Sequence, residues 1–239
     1  MTTTHRSKTR AEEIYWRLRA DILNGRHEPG SRLRVEALKE SYDASSGVLR
    51  EALPRLVGQG LATFAPQQGF RVVTVSPERL RELTDARVFV ETHVARQSVT
   101  AGSIEWESDL LAAHHHLART PYFDDAGALN EGWLHAHARF HRVLLEGCSN
   151  RPLRDIATQL RDAAEVYRCW ARTPAESSHR DVAAEHRAIC DRAIARDASG
   201  VVEALTRHID LTTQLLLDAY GRREEQGEQG KREEKQKGA

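Results

Sequence analysis

The apolar positions of residues 10–75 recur first at a helical spacing and later at a strand spacing. Ile14, Leu18 and Ile22 form one stripe, which predicts a helix that ends at Asn24–Gly25. Residues 35–42 fit a second, short helix. These two helices lead into the most regular stretch of the chain.

A third helix and a hairpin are predicted in residues 44–73. Ser45 and Ser46 are N-cap candidates, and Gly58 ends the helix. Its apolar face holds residues at three- and four-residue spacing: Val48, Leu49, Ala52, Leu53 and Leu56. Residues 61–75 then contain two runs rich in apolar, aromatic and β-branched residues around a turn at 65–69, which indicates two paired strands.

This order of helices, turn and hairpin is typical of a winged helix-turn-helix domain that binds DNA. Arg50 lies near the start of the third helix, where side chains enter the major groove, and is expected to read guanine. Gln68 and Gly69 form the expected wing tip at the neighbouring minor groove. The other residues predicted to contact DNA are Ser45, Ser46, Gly47 and Arg34.

Composition and charge add little to this pattern and exclude some classes of protein. Residues 1–76 hold twelve Lys and Arg against eight Asp and Glu, and the remainder holds 23 against 27, so the DNA-binding side is mildly basic. Three widely spaced cysteines without a CxxC pair argue against a disulfide scaffold and favour the reducing cytoplasm. No apolar run approaches the roughly 18 residues of a membrane span, and the first residues lack the apolar segment of a signal peptide.

Helical spacing without any strand pattern follows the hairpin. Ser76 can cap a helix, Pro77 suits its first position, and Glu78 suits its positive end, so a domain boundary is expected there. Six helices joined by short connections are predicted near residues 77–100, 103–118, 124–147, 150–171, 175–196 and 198–221. The predicted fold is therefore mainly α, with an N-terminal winged helix-turn-helix and a C-terminal antiparallel helical bundle. The predicted divisions are a flexible arm at 1–9, a DNA-binding domain at 10–75, a bundle at 76–221 and a disordered charged tail at 222–239.

Four histidines fall on helix faces that the pattern predicts to be buried. His137 and His141 lie one turn apart in the third bundle helix, His186 lies in the fifth and His208 in the sixth. A buried imidazole needs polar partners, and a divalent metal ion would satisfy four that converge. The alternative is four separate core histidines, each bonded to a carbonyl or a carboxylate.

Charged residues also occupy the inward face of the first bundle helix. Arg87 lies in the apolar stripe and Glu91 follows one turn later, so the two could form an internal ion pair. Arg87 could instead line a cavity and hold a ligand carboxylate through a bidentate contact. Tyr167, Arg168 and Arg172 in the fourth helix are further candidates for binding a small molecule.

The first part of the chain resembles the GntR family of bacterial repressors. The matching stretches are LNGRHEPGSRL, VLREAL from Val48 to Leu53, GLA from Gly60 to Ala62 and QGFRV from Gln68 to Val72. By this resemblance Arg50 takes the place of the base-reading arginine and Gly69 that of the wing-tip glycine. Ser46 stands where the family usually has an arginine, which leaves the base specificity open.

The bundle resembles the FCD domain of the FadR-type branch of that family. The matching residues are Asp85–Ala86–Arg87 with Glu91, HARFH from His137 to His141, GCSN from Gly147 to Asn150, Glu185–His186, and His208. The resemblance implies a domain that binds a small organic acid. A two-fold dimer is expected separately, because one recognition helix reads only a few base pairs. The stretch WLHAHARFHRVLLEGCSN resembles regulators of dicarboxylate catabolism in particular.

The resemblance also implies a metal site, since FCD domains commonly bind a metal through one Asp and three His. His141, His186 and His208 match the three His positions, and His137 stands where the Asp is usual. An all-imidazole site favours Zn or Ni over Mn.

The function implied is a metabolite-responsive repressor that binds a near-palindromic operator as a homodimer. A small carboxylate, drawn to the metal and held by Arg87, would release it from DNA. The alternative is a metal-dependent hydrolase with a DNA-binding segment. It is disfavoured because no acid lies on the predicted inward stripes of the third, fifth and sixth bundle helices to act as a general base. A structural DNA-binding protein is a third possibility, but it would give the buried histidines and Arg87 no purpose.

Overall fold

The computed structural model describes residues 9–23, 25–74, 76–125, 130–171 and 180–237. It confirms the predicted fold class, a mainly helical chain with a small sheet near its N-terminus. Two compact units can be distinguished, one formed by residues up to Ser76 together with Gln159–Trp170, and the other by the remainder. The segment Gln159–Trp170, which the sequence assigned to the bundle alone, thus groups with the DNA-binding unit.

The first unit contains three helices and a three-stranded antiparallel sheet. In chain order these are α1 (Arg10–Leu23), β1 (Arg32–Leu33), α2 (Val35–Tyr42), α3 (Ser46–Gly58), β2 (Ala62–Ala65) and β3 (Gly69–Val72). The strand order is β1-β3-β2. Strand β1 was not predicted, because two residues are too short to show a period.

The predicted apolar stripes form the core of the first unit. Ile14 and Leu18 of α1 and Leu49, Leu53 and Leu56 of α3 are fully buried. Ser45 caps α3, because its Oγ accepts a hydrogen bond from the Val48 amide at 3.3 Å. These contacts fix the start of α3, which is the part expected to meet DNA.

The second unit is all-helical. Its helices are α4 (Pro77–Ala101), α5 (Ile104–Arg119), α6 (Glu131–Glu146), α7 (Arg151–Ala171), α8 (Val182–Ile194) and α9 (Ala198–Lys237), with the end of α7 grouped with the first unit. Helix α4 packs on α9, α5 on α6 and α8, and α8 on α9. Fully buried apolar residues, among them Phe140, Leu144, Ile189 and Leu205, form its core.

Three helix boundaries differ from the prediction. Asn130 caps α6 and Asp181 caps α8, so both helices begin about seven residues later than their periodic patterns suggested. Helix α9 runs to Lys237, so the segment 222–239 that was expected to be a disordered tail is helical over its described part. Glu, Gln, Lys and Arg are favourable helix residues, and in this stretch they outweigh the glycines. No helix in the described ranges is both long and apolar enough to cross a membrane.

Candidate functional site

The surface residues predicted to meet DNA lie at the start of α3 and at the tip of the β2–β3 hairpin. Ser45, Gly47 and Arg50 are exposed, and the first turn of α3 carries no acidic residue that would repel a phosphate. Ser46 is half-buried as the first residue of α3. A helix N-terminus with free amides and no acid is a favourable place for a DNA phosphate.

Arg50 differs from the two other arginines of this region. Arg55 lies over the Tyr15 ring, 4.2 Å from its centroid, and Arg71 Nη1 donates to the Gly30 carbonyl at 3.0 Å. Arg50 makes no hydrogen bond or ion pair with any residue the structure describes. Its guanidinium is therefore available to a base edge, whereas the other two have roles within the unit.

The wing tip is a tight turn between paired strands. Ala65 pairs with Gly69, and both Gln67 (φ 62°) and Gly69 (φ 76°) adopt the left-handed conformation. Gln68 at the tip is exposed. Arg34, the other predicted contact, is exposed in the position before α2. These residues lie at the surface of the first unit, and their contact with DNA stays a prediction.

The four predicted histidines come together inside the bundle. All of them are buried, and one ligand nitrogen from each can be chosen so that these atoms lie within 4.8 Å of one another. His141 Nε2 and His186 Nε2 are 3.3 Å apart. Trp133, one turn before His137, stacks on that imidazole at 4.6 Å between ring centroids and covers one side of the cluster.

A carboxylate and an arginine that the sequence did not single out for this role flank the cluster. Glu185 Oε2 lies 2.7 Å from His208 Nδ1. Arg180 donates to both Glu185 oxygens at 2.6 Å, to Thr212 Oγ1 at 2.9 Å and to the His208 carbonyl at 3.2 Å. Burial alone would raise the pKa of Glu185, but its hydrogen bonds to Arg180 and His208 and the positive charge of Arg180 hold that pKa at about 2.

The low pKa of Glu185 bears on the enzyme alternative. An acid does approach the histidines, contrary to the expectation from the helix stripes, because Glu185 lies one residue before His186 and reaches across to α9. A general base works best with a pKa near the working pH. A carboxylate with a pKa of about 2 that is held by a bidentate arginine is a poor proton acceptor.

The bundle also contains the predicted pair of charged residues on α4. Arg87 Nε donates to Glu91 Oε1 at 2.6 Å, and both side chains are buried. The internal ion pair of the simpler interpretation is thus present. A guanidinium carries five N–H donors and this bond uses one of them. Arg87 can therefore pair with Glu91 and still donate hydrogen bonds to a ligand.

Three weaker candidates lie in or beyond the end of α7. Tyr167 is buried, and Arg168 forms an ion pair with Glu165 at 3.2 Å. Both belong to the segment that groups with the first unit, whereas Arg87 and Glu91 belong to the second. Arg172 lies outside the described residues.

Comparisons with known proteins match both parts of the chain. The model of the FCD domain matches residues 82–211, and that of the bacterial regulatory proteins, gntR family, matches residues 10–72. An uncharacterised HTH-type transcriptional regulator, BphR of Paraburkholderia xenovorans (strain LB400), is 37% identical over 212 residues, which cover 86% of this chain and 84% of that protein. The HTH-type transcriptional repressor GlaR of Escherichia coli (strain K12) is 31% identical over 195 residues, which cover 80% and 89%.

The fold also matches solved structures at lower sequence identity. E. coli McbR/YncC superimposes with a TM-score of 0.74 at 21% identity, covering 89% of this chain and 99% of that one. A putative GntR regulator from Rhodococcus sp. RHA1 gives a TM-score of 0.70 at 21% identity, covering 88% and 99%. These two matches support the arrangement of helices and wing.

Proposed function

The chain belongs to the GntR family of bacterial regulatory proteins, in the branch that carries an FCD domain, and from this we propose that it is a repressor whose bundle binds a small carboxylate and thereby releases operator DNA. It is a DNA-binding transcription regulator and not an enzyme. The observation that carries the proposal is the buried polar interior of the bundle, with four histidines and an Arg–Glu pair. The four imidazoles converge inside the core, where their nitrogens lie close enough together to hold one ion, and this convergence favours a ligand-binding role for them.

The DNA-binding part of the proposal places α3 in the major groove. Arg50 would donate to the O6 and N7 atoms of a guanine, with Ser45, Ser46 and Gly47 beside it at the phosphates. Gln68 and Gly69 would meet the minor groove, and Arg34 would contact the backbone. The support is the exposure of Arg50 and its lack of a partner among the described residues.

The metal part of the proposal assigns one divalent ion to His137, His141, His186 and His208. Imidazole nitrogens suit Zn²⁺ and Ni²⁺, and four of them without a carboxylate disfavour Mn²⁺. Ordinary core histidines without a metal could also form the His141–His186 contact and the His208–Glu185 contact. The convergence of all four rings is what favours a metal, because separate core histidines have no reason to meet.

The effector part of the proposal concerns the charge inside the bundle. When bound, the ion would supply two positive charges to a buried site. Arg87 would bind one end of the acid through its Nη groups while Glu91 fixes the direction of the guanidinium. Tyr167, Arg168 and Arg172 are kept as secondary candidates. A small dicarboxylate fits two separate positive groups better than a monocarboxylate does.

The assembly proposed is a two-fold dimer on a near-palindromic operator, because one recognition helix reads only a few base pairs. Apolar faces of α4 and α7 form the proposed contact. Phe89 of α4 is 79% exposed and Ile156 of α7 is 44% exposed in the single chain, so both could be buried by a second copy. Light scattering on wild type and on Phe89→Glu would test this, since a wild-type monomer at micromolar concentration contradicts the dimer.

The central experiment is a gel shift on the DNA upstream of the protein's own gene. Metal-loaded protein should bind this DNA, and a subset of small dicarboxylates and hydroxy acids should release it. Protein whose metal has been removed with a chelator should be released from DNA less readily by the same acids. Calorimetry that shows no binding of any such acid to the metal-loaded protein would refute the carboxylate effector but leave the DNA-binding assignment standing.

A further inference from the structure

We propose that Glu185, held in place by Arg180, is a positioning residue for His208 in the four-histidine cluster. It would fix the imidazole with Nδ1–H towards the carboxylate and Nε2 towards the other three histidines. The inference rests on the proposed metal site, and it adds two residues to that site which would bind no metal themselves.

The direction of the His208 ring follows from its contact with Glu185. The distance of 2.7 Å between His208 Nδ1 and Glu185 Oε2 is that of a strong hydrogen bond. An ionised carboxylate only accepts, so Nδ1 must donate. In a neutral imidazole the remaining nitrogen, Nε2, then carries the lone pair that a metal ion needs.

Arg180 fixes the carboxylate in turn. Its guanidinium donates to both oxygens of Glu185, and the Arg180 and Glu185 side chains are only 13% and 16% exposed. The same guanidinium binds the Thr212 hydroxyl and the His208 carbonyl on α9. Because Glu185 lies in the first turn of α8, this network ties the start of α8, which carries His186, to the turn of α9 that carries His208.

The charge of the cluster makes such a partner useful. Four neutral imidazoles supply no negative charge to a divalent ion. A carboxylate bonded to the outer nitrogen of one ligand raises the basicity of that ligand and holds its orientation. Glu185 is a carboxylate that the structure shows bonded to a histidine of the cluster.

The test uses full-length protein freed of metal and titrated with Zn²⁺ in competition with a chromophoric chelator. Glu185→Gln keeps the size of the side chain and should weaken Zn²⁺ binding about tenfold, and Glu185→Ala should weaken it by up to about 100-fold. Asp181→Asn is the matched control. It also removes one negative charge at the start of α8, Asn can still cap the helix, and its Zn²⁺ affinity should equal that of wild type.

A second measurement separates positioning from a general loss of structure. Nitrogen-15 NMR of the metal-free protein should show His208 protonated at Nδ1 in wild type and in Asp181→Asn, and as a mixture of tautomers in Glu185→Gln. Unchanged Zn²⁺ affinity or an unchanged tautomer in Glu185→Gln would overturn the inference alone. A wild-type protein that takes up no Zn²⁺ would overturn the metal site itself.

Discussion

Ten polar or charged residues are buried in the part of the chain that the structure describes, and all of them lie in the bundle: Thr84, Arg87, Glu91, Ser98, His137, His141, His186, His208, Thr212 and Thr213. Within the same described ranges the winged-helix unit buries only apolar side chains and tyrosines, and its Arg50 faces solvent. DNA is too large to enter a protein, so the groups that read it must stay at the surface. A small effector can be enclosed, and the groups that recognise it are then removed from water together with it.

This comparison predicts that ion pairs in the two units differ in what they contribute to stability, and the largest effect is expected in the bundle. Glu91→Ala leaves the Arg87 guanidinium buried without its carboxylate and should lower the free energy of unfolding by about 3–5 kcal/mol. Glu13→Ala breaks an exposed pair with Arg10 in the first unit and should cost less than about 1 kcal/mol. Urea unfolding followed by circular dichroism measures both, and similar losses would contradict the comparison.

A double variant asks whether the buried pair serves binding or only structure. Arg87→Met with Glu91→Leu removes both charges and refills the space, which is often neutral for stability. The variant should bind DNA as wild type does and no longer respond to the acid. A folded double variant that still releases DNA on adding the acid would assign the pair a purely structural role.

The next largest effect is expected from removal of the metal. A ligand that binds only the native state at 100 times its dissociation constant adds about 2.7 kcal/mol to stability. A chelator should therefore lower the melting temperature of wild type measurably. His141→Ala should melt lower without chelator and show no further shift when it is added. Equal melting of wild-type protein with and without chelator would favour ordinary core histidines.

The third prediction concerns the surface of the first unit. Arg50→Ala should lose about 1–3 kcal/mol of operator binding for each recognition helix, since one bidentate contact to guanine is worth that much. Its melting temperature should not change, because Arg50 is exposed and makes no hydrogen bond or ion pair with any residue the structure describes. Arg55→Ala is the control. It removes the same charge from α3, but from an arginine whose guanidinium lies over the Tyr15 ring. Titration of a labelled operator duplex should show a large loss for the first variant and a small one for the second.

Most residues of the candidate site in the bundle could be predicted from periodicity, because they lie on regular helix faces. His137, His141, His186 and His208 could be predicted since each replaces an apolar residue in a stripe, and the structure buries all four. The spacing of one helical turn between Arg87 and Glu91 predicted an ion pair, and the structure contains that pair. The resemblance to a family then indicated what these residues bind.

The parts that could not be predicted depend on contacts across the chain or on local irregularity. Glu185 lies one residue off the stripe of His186, so its contact with α9 has no periodic signal. Arg180 lies two residues before α8, so no helix face indicates its partners. The prediction of a disordered tail from residue 222 was wrong, since α9 continues to Lys237. A charged, glycine-interrupted composition is shared by disordered tails and solvent-exposed helices.

The smallest effect is expected at a half-buried ion pair of the first unit, Arg19 with Asp162 at 2.9 Å, with side chains 17% and 20% exposed. Burial raises the pKa of Asp162 above its ordinary value, and the nearby charge of Arg19 offsets this only in part. A raised pKa means that the folded state binds the proton of this carboxyl more tightly than the unfolded chain does. The stability that Asp162 contributes is therefore fully present below its unfolded pKa and is lost as the pH rises through the folded pKa.

Replacing this aspartate should remove that pH dependence with little other consequence. At pH 7 the free energy of unfolding of Asp162→Asn should lie within about 1 kcal/mol of the wild-type value. The stability of the variant relative to wild type should rise as the pH increases from about 4 through the raised pKa. Asp155→Asn, at a position that is 64% exposed on the same helix, should show no such trend. Urea unfolding across this pH range decides the matter. A variant that becomes less stable relative to wild type as the pH rises would mean that the ion pair outweighs burial, and the first unit would then draw stability from an enclosed charge pair.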